Sequence, residues 1–263
     1  MSRSLESALN DLVLAHAAGR QLALLFDYDG TLTPLVARPE RAVLSHRTRS
    51  VLAGLNRSPR VRVGILSGRS LDDLTPLVRL PGLYYAGHGG LEIDLRGSRI
   101  VAPGATERRR DMQRLARRVE RMAAAYAGAR VERKPFGFAF HYRAVARCRQ
   151  EAVCAFAGRV LDPFRAEFRV VRAPAAIEVT PDVGWTKATA IQRILEHMGG
   201  AVHLLYAGDA DNDEEALTEV AHAGGIAIGV GADPPAGARY RLPNPAALVR
   251  ILIVLRASLR NRT

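Results

Sequence analysis

Lysine is nearly absent from this 263-residue chain: of its 38 basic residues, only Lys134 and Lys187 are lysines. A chain that meets its other needs for positive charge with arginine keeps an ammonium where a compact point charge with three donors serves and a planar guanidinium fork does not. Both lysines are therefore candidate functional residues; the alternative is a strong arginine bias that leaves two lysines by chance. Cysteine is equally scarce. Cys148 and Cys154 are six apart on an expected helix, which excludes a disulfide scaffold and any cysteine-based metal site, and both are expected to be small buried hydrophobes.

No apolar run approaches the length of a membrane span, and the opening Met-Ser-Arg-Ser-Leu-Glu lacks the apolar core of a signal peptide. The expected location is the cytoplasm, with no membrane partner. Acidic residues are outnumbered 26 to 38, giving a net charge of +12 and a pI near 10.7. Such a field draws polyanions. The arginines are nevertheless scattered through every segment, and the densest cluster, from Arg108 to Arg121, reads as the solvated face of one helix. Attraction of anions in general, including an anionic substrate, is expected rather than a specific nucleic-acid function. With 48% hydrophobic and 6% aromatic residues, the composition is that of an ordinary globular protein, long enough for one large domain or two smaller ones.

The stretch that organises the chain is 22–34, Leu-Ala-Leu-Leu-Phe-Asp-Tyr-Asp-Gly-Thr-Leu-Thr-Pro. Five consecutive apolar residues without helical spacing, closed by Asp-Gly, suit a strand buried on both faces of a parallel sheet. Asp27 and Asp29 then stand at its C-terminal end, where open α/β sheets place their ligands. Neither has a basic neighbour in sequence. The concentrated negative charge calls for a cation, and hard oxygen ligands favour Mg²⁺. A calcium loop fits poorly, since it would need Gly at position 32, which is Leu.

Around this strand the pattern alternates. Helices are expected at 4–18, 45–56 with Ser45 as N-cap, and 71–79; strands at 61–66 and 83–86; and a hairpin at 91–94 and 99–101. Ser67-Gly68-Arg69 follows the 61–66 strand, so that the Ser67 hydroxyl and the next amides can hold a phosphate oxygen. His88, in a Gly-His-Gly-Gly loop, is expected to be solvated. From Pro103 the pattern changes to a long amphipathic helix (105–126), strands at 129–134 and 137–143, a helix at 147–161, and strands at 166–172 and 175–180. This compact α+β insertion suits a lid or recognition cap, or simply a second structural domain. Alternation resumes with Lys187 opening helix 186–198 and strand 202–207, which ends in Gly208-Asp209-Ala210-Asp211-Asn212-Asp213. Helix 213–221, strands 225–228 and 239–242, helix 245–258 and a frayed tail at 260–263 complete the chain.

Asp27/Asp29, Ser67, Lys187 and Asp209/Asp213, in that order and each at a strand end or helix start, resemble the four motifs of the haloacid-dehalogenase superfamily of phosphohydrolases. The resemblance implies an α/β fold with a Rossmann-like parallel-sheet core (1–102 and 181–263) and an inserted α+β cap of C2 type (103–180). It implies that Asp27 attacks phosphorus to form an aspartyl-phosphate, and that Asp29 protonates the leaving oxygen and later deprotonates water. Thr31, Ser67, Gly68 and Lys187 would bind the phosphoryl group. Mg²⁺ would be held by the Asp27 carboxylate, the Asp29 backbone carbonyl and Asp209, with Asp213 as an indirect partner.

Within the superfamily, Asp-Tyr-Asp-Gly-Thr-Leu-Thr-Pro at 27–34 is similar to the first motif of the trehalose-6-phosphate phosphatase family. So are Val131-Glu132-Arg133-Lys134, Phe140-His141-Tyr142-Arg143 and Ile177-Glu178-Val179 to that family's cap segments. The resemblance implies a phosphoric monoester hydrolase of trehalose biosynthesis acting on a small sugar phosphate. Glu132, Lys134 and Glu178 would bind sugar hydroxyls, with Arg143 and Arg69 beside the substrate. Lys134 and Lys187 both fall on family positions. The same class includes sucrose- and mannosylglycerate-phosphate phosphatases, and a non-enzymatic alternative is a polyanion binder on an idle scaffold. Departures from the family pattern are Ala210 for a second Asp, Asn212 for Thr, Ala188 for Gly, and His88-Gly89-Gly90 in a loop where no role carries over to His88.

Overall fold

The computed structural model describes residues 4–36, 39–173 and 176–260. The chain divides into two compact units, one drawn from Met1–Ile100 and Thr186–Thr263 and the other from Val101–Trp185. Among the described residues no helix is long and apolar enough to cross a membrane. The tail expected at 260–263 lies, beyond Arg260, outside the described residues, as does the first residue of the strand expected at 175–180.

In the first unit, α1 (Leu5–Ala17) leads to β1 (Gln21–Asp27), followed by α2 (His46–Arg57), β2 (Val61–Leu66), α3 (Leu71–Val78), β3 (Tyr84–Gly87), β4 (Glu92–Leu95) and β5 (Arg99–Val101). Each of the three helices starts at a serine N-cap whose hydroxyl accepts a backbone N–H three residues on: Ser4, Ser45 and Ser70. In the second unit, α4 (Arg109–Ala123) is followed by β6 (Arg130–Lys134), β7 (Gly137–His141), α5 (Arg147–Leu161), β8 (Phe168–Ala173) and β9 (Ala176–Pro181). The chain then returns through α6 (Lys187–Met198), β10 (Val202–Gly208), α7 (Glu214–His222), β11 (Ile226–Val230), β12 (Tyr240–Leu242) and α8 (Pro245–Arg260).

The larger sheet has the order β12-β11-β10-β1-β2-β3-β4-β5. Every pairing from β12 to β3 is parallel, and β4 turns back antiparallel on β3. Buried on both sides, β1 is covered along six of its seven residues, which is why it reads as an unbroken apolar run. From β1 the chain winds outward to β2 and β3, then returns to β10 on the other flank of β1. That reversal opens a crevice at the C-terminal ends of β1 and β10, where Asp27 and Asp209 stand. Leu22, Leu24 and Phe26 join α1, α2, α3 and α8 in one core, while α6 and α7 pack against each other, α7 on β10 and β11 and α6 on β3 and β4.

The second unit is a four-stranded antiparallel sheet of order β6-β7-β9-β8. Phe138, Phe140, Phe168, Ile177 and Val179 pack with Met112, Leu115 and Val119 of α4 and Val153, Ala157 and Leu161 of α5. The helix expected at 105–126 is confined to Arg109–Ala123, with turns on either side. The expected burial of the cysteines is corrected: Cys148 is exposed and Cys154 only half-buried. The buried stripe of α5 is Val153, Ala157 and Leu161, and five residues of helical rotation carry Cys148 about 140° from Val153, onto the solvent side.

Candidate active site

Asp27, the last residue of β1, is 5% exposed. Its Oδ1 accepts a 2.6 Å bond from Lys187 Nζ, and its Oδ2 is buried with no hydrogen-bond partner. Burial pushes its carboxyl well above the usual range; the Lys187 ammonium pulls it down, and the Asp213 and Asp209 charges push it further up. A buried carboxylate oxygen with nothing to bond is the feature a cation would satisfy.

The turn after Asp27 is built on Gly30. At φ +86° it adopts the left-handed conformation, and a Cβ there would lie 1.9 Å from Asp209 Oδ2. This close approach brings the first acidic loop against the second. The Thr31 hydroxyl donates to Asp209 Oδ1 at 3.4 Å. Asp209 has its pKa raised to about 6, first by burial and then by the Asp213 charge. Asp27, Asp209 and Asp213 place one carboxylate oxygen each within 4.8 Å of one another, a group able to hold a metal ion.

Lys187 opens α6 directly after Thr186, whose hydroxyl caps the helix by accepting from Thr189 N–H. Its side chain is 2% exposed, and its Nζ donates to Asp27 Oδ1 and Asp213 Oδ1, both at 2.6 Å, and to Asn212 Oδ1 at 3.3 Å. Burial alone would lower its pKa; the two carboxylates overcome that and raise it. Asp213 is fully buried, and both of its oxygens are engaged. Oδ1 takes Lys187 and the Tyr206 hydroxyl, while Oδ2 accepts the backbone N–H of Asp209 at 3.2 Å and of Ala210 at 3.3 Å. Asp213 therefore shapes the loop and holds Lys187, and Asn212 serves as a further acceptor for it. Tyr206 was invisible to motif reading, because it lies inside an apolar strand where a tyrosine reads as core.

Asp29 does have a basic partner, forty residues away. Arg69 grips it with two parallel bonds, Nε to Oδ2 and Nη2 to Oδ1, each 2.7 Å, and its guanidinium lies 5.7 Å from the Tyr28 ring centroid. Ser67 is buried, and its hydroxyl accepts the Arg69 N–H at 3.2 Å; Gly68 is the turn residue between them. His88 is not solvated as expected: it is buried at φ +50°, with its Nε2 3.5 Å from Glu92 Oε1. Glu92 in turn accepts the first N–H of α3 from Leu71, so this polar pair ties β4 to α3.

In the second unit, Glu132, Ala139 and Glu178 occupy one register row across β6, β7 and β9, on the face opposite the two helices. Lys134 Nζ donates to Glu178 Oε1 at 3.1 Å, and His141 Nε2 lies 2.7 Å from Glu132 Oε2. Arg143 sits in the exposed turn beyond β7 and is not part of this row.

A doubly wound sheet carrying an acidic cluster with a buried aspartate–lysine pair at its switch point has the architecture of the haloacid-dehalogenase fold, and the family match makes the protein a phosphoric monoester hydrolase. The chain belongs to the trehalose-phosphatase family, whose model matches residues 25–246. It is 35% identical to a trehalose-phosphate phosphatase of Mycobacterium tuberculosis over 273 aligned positions, covering 97% of this chain and 67% of that protein. It is 30% identical to the probable trehalose-phosphate phosphatase D of Arabidopsis thaliana, covering 89% of this chain and 67% of that one. Its fold is shared with the C-terminal domain of the C. albicans trehalose-6-phosphate phosphatase, with a TM-score of 0.78 at 22% identity over 94% of this chain and 96% of that one. A trehalose-6-phosphate phosphatase related protein gives 0.77 at 19% identity, over 92% and 100%.

Proposed function

We propose that this protein hydrolyses trehalose 6-phosphate to trehalose and phosphate, and that it does so with Mg²⁺ and through an aspartyl-phosphate on Asp27. The observation that carries this reading is the buried Asp27, bonded to Lys187 through one oxygen and unpartnered at the other, within a family of trehalose-phosphatases. Asp27, Asp209 and the Asp29 backbone carbonyl would hold the metal. When bound, it would offset repulsion between an anionic nucleophile and an anionic substrate.

Asp27 attacks phosphorus through one carboxylate oxygen, forming the P–O bond as the sugar oxygen leaves. Asp29 gives that oxygen its proton; in the second step it takes one from the water that attacks phosphorus, the bond between phosphorus and Asp27 breaks, and phosphate leaves with the Asp27 carboxylate restored. For this, Arg69 must release or share its carboxylate, and its guanidinium then becomes available to the substrate. Lys187, Thr31, Ser67 and the Gly68 amide bind phosphoryl oxygens, Lys187 countering charge in the transition state. Both cysteines are free, which suits a cytoplasmic, reducing setting. Release of phosphate from trehalose 6-phosphate with Mg²⁺, abolished by EDTA, is the test; a preparation of folded protein that releases none overturns the reading.

Specificity is assigned to Glu132, Lys134 and Glu178, because the loops around Asp27 handle only the phosphoryl group. Glu132→Ala or Glu178→Ala is expected to lower kcat/KM for trehalose 6-phosphate about ten- to a thousandfold, the range for one or two charge-assisted hydrogen bonds. Glucose 6-phosphate, with no second sugar, should be a poor substrate for the parent enzyme. A side-by-side panel of trehalose, sucrose and glucose phosphates checks this, and equal turnover of all three removes the trehalose assignment while keeping the phosphatase one.

Metal binding also has a stability signature. Asp27 and Asp209 both have raised pKa values, so the metal-free fold binds their protons more tightly than the unfolded chain does. For Asp209 this contribution to stability is present below about pH 4 and is lost as the pH rises through about 6; for Asp27 it is likewise present at low pH and lost on raising it. In EDTA the melting temperature should fall by a few degrees over that window, less steeply in Asp209→Asn. Mg²⁺ should restore most of the loss above pH 6. Calorimetric scans that show parallel pH curves with and without Mg²⁺ contradict the assignment of the cluster.

A further inference from the structure

We propose that His141 is a positioning residue for sugar recognition, holding the Glu132 carboxylate so that one oxygen is directed to a substrate hydroxyl. The inference rests on the reading of Glu132 as a sugar-binding group. In the β6–β7 ladder, Arg130 pairs with His141 and Glu132 with Ala139, so His141 is the diagonal neighbour of Glu132 on the same face. Diagonal partners are about 7–8 Å apart at the backbone, a gap that an imidazole spans. Its Nε2 reaches Glu132 Oε2 at 2.7 Å, whereas Arg130 approaches that oxygen only to 3.7 Å.

The two contacts differ in quality as well as in length. His141 is 23% exposed and carries one directed donor on a short ring; Arg130 is 63% exposed on a flexible stem, the kind of pair that contributes little. The hydrogen bond from His141 is also the largest cause of the lowered Glu132 pKa, which keeps the carboxylate charged and accepting. Both contacts fall on Oε2, and among the described residues nothing occupies Oε1. A carboxylate fixed through one oxygen presents the other at a defined angle, and this is how a supporting hydrogen bond raises the precision of a polar subsite. His141 lies in the Phe140-His141-Tyr142-Arg143 segment that is similar to the family's cap, but the resemblance gives it no role; the contact with Glu132 does.

The test is steady-state kinetics on trehalose 6-phosphate with the full chain, for His141→Ala, His141→Gln, Glu132→Ala and the double Ala variant, each checked for unchanged melting. His141→Ala should raise KM about tenfold with kcat changed less than about threefold, the expected size of one charge-assisted hydrogen bond. His141→Gln, whose amide nitrogen falls close to the place of Nε2, should recover most of that loss. The double variant should be no worse than Glu132→Ala alone. If Glu132→Ala raises KM and His141→Ala does not, or if the two losses multiply, His141 is not positioning Glu132 and the proposal fails alone. If Glu132→Ala leaves KM unchanged, the sugar-site reading fails and this inference with it.

Discussion

Asp27→Asn is expected to reduce phosphate release by at least three powers of ten while leaving the fold intact. The amide is nearly isosteric with the carboxylate but is a poor nucleophile, and the loss of a covalent nucleophile costs about that much or more. Stability should not follow activity. Asp27 is buried, its pKa is pushed well above the usual range, and one of its oxygens bonds to nothing, so its charge burdens the metal-free fold. Lys187 keeps Asp213 as a 2.6 Å partner in the variant. The melting temperature in EDTA should therefore equal or exceed that of the parent protein, a trade between stability and activity of the kind reactive groups impose. Phosphate release measured at enzyme concentrations high enough to detect a thousandth of the parent rate, together with a thermal melt, checks both halves. Retention of more than about a tenth of the activity would exclude the covalent route.

Lys187→Arg should be nearly as damaging, although 36 of the 38 basic residues here are arginine. The ammonium stands 2.6 Å from two carboxylates at once, in a space 2% exposed. A guanidinium is longer and planar, and cannot make both contacts from the same stem without displacing Asp27, Asp213 or the start of α6. The start of α6 is itself confined: a Cβ on Gly90 would lie 2.2 Å from the Thr186 carbonyl oxygen. Overpacking of this kind costs about 1–3 kcal/mol. A fall in kcat of at least a hundredfold is expected, with a melting temperature lower by several degrees. Lys187→Ala provides the comparison, since it leaves two buried carboxylates without their cation and should be the less stable of the two. Near-parental catalysis in Lys187→Arg would mean that any cation serves and that the scarcity of lysine carries no information.

The course of the chain was legible without coordinates because it rests on near neighbours. An apolar run that suits a doubly buried strand, a serine one place before a helix, and Asp-Gly after a strand each act within a few residues; β1, α2 with its Ser45 cap, β2 and α5 lie within a residue or so of their expected bounds. The order of Asp27, Ser67, Lys187 and Asp209 was readable for the same reason, since each residue follows a local punctuation mark in an alternating pattern. Two unusual lysines added a signal from composition alone.

What the sequence could not determine is which of these groups touch. Asp29 and Arg69 are forty residues apart, and Lys187 and Asp27 one hundred and sixty; nothing local selects either pair. Their meeting follows from the winding of the sheet, which sets β2 beside β1 on one flank and returns β10 to the other. The same holds for burial. Tyr206 is a core tyrosine by pattern and an anchor of Asp213 by contact, while His88 is a loop histidine by pattern and an enclosed one in the fold. Hydrophobic periodicity reports which face of an element turns inward, but a polar atom's partner depends on the side chains that other elements bring within about 3 Å, and that distance is fixed only once the sheet has closed on its helices.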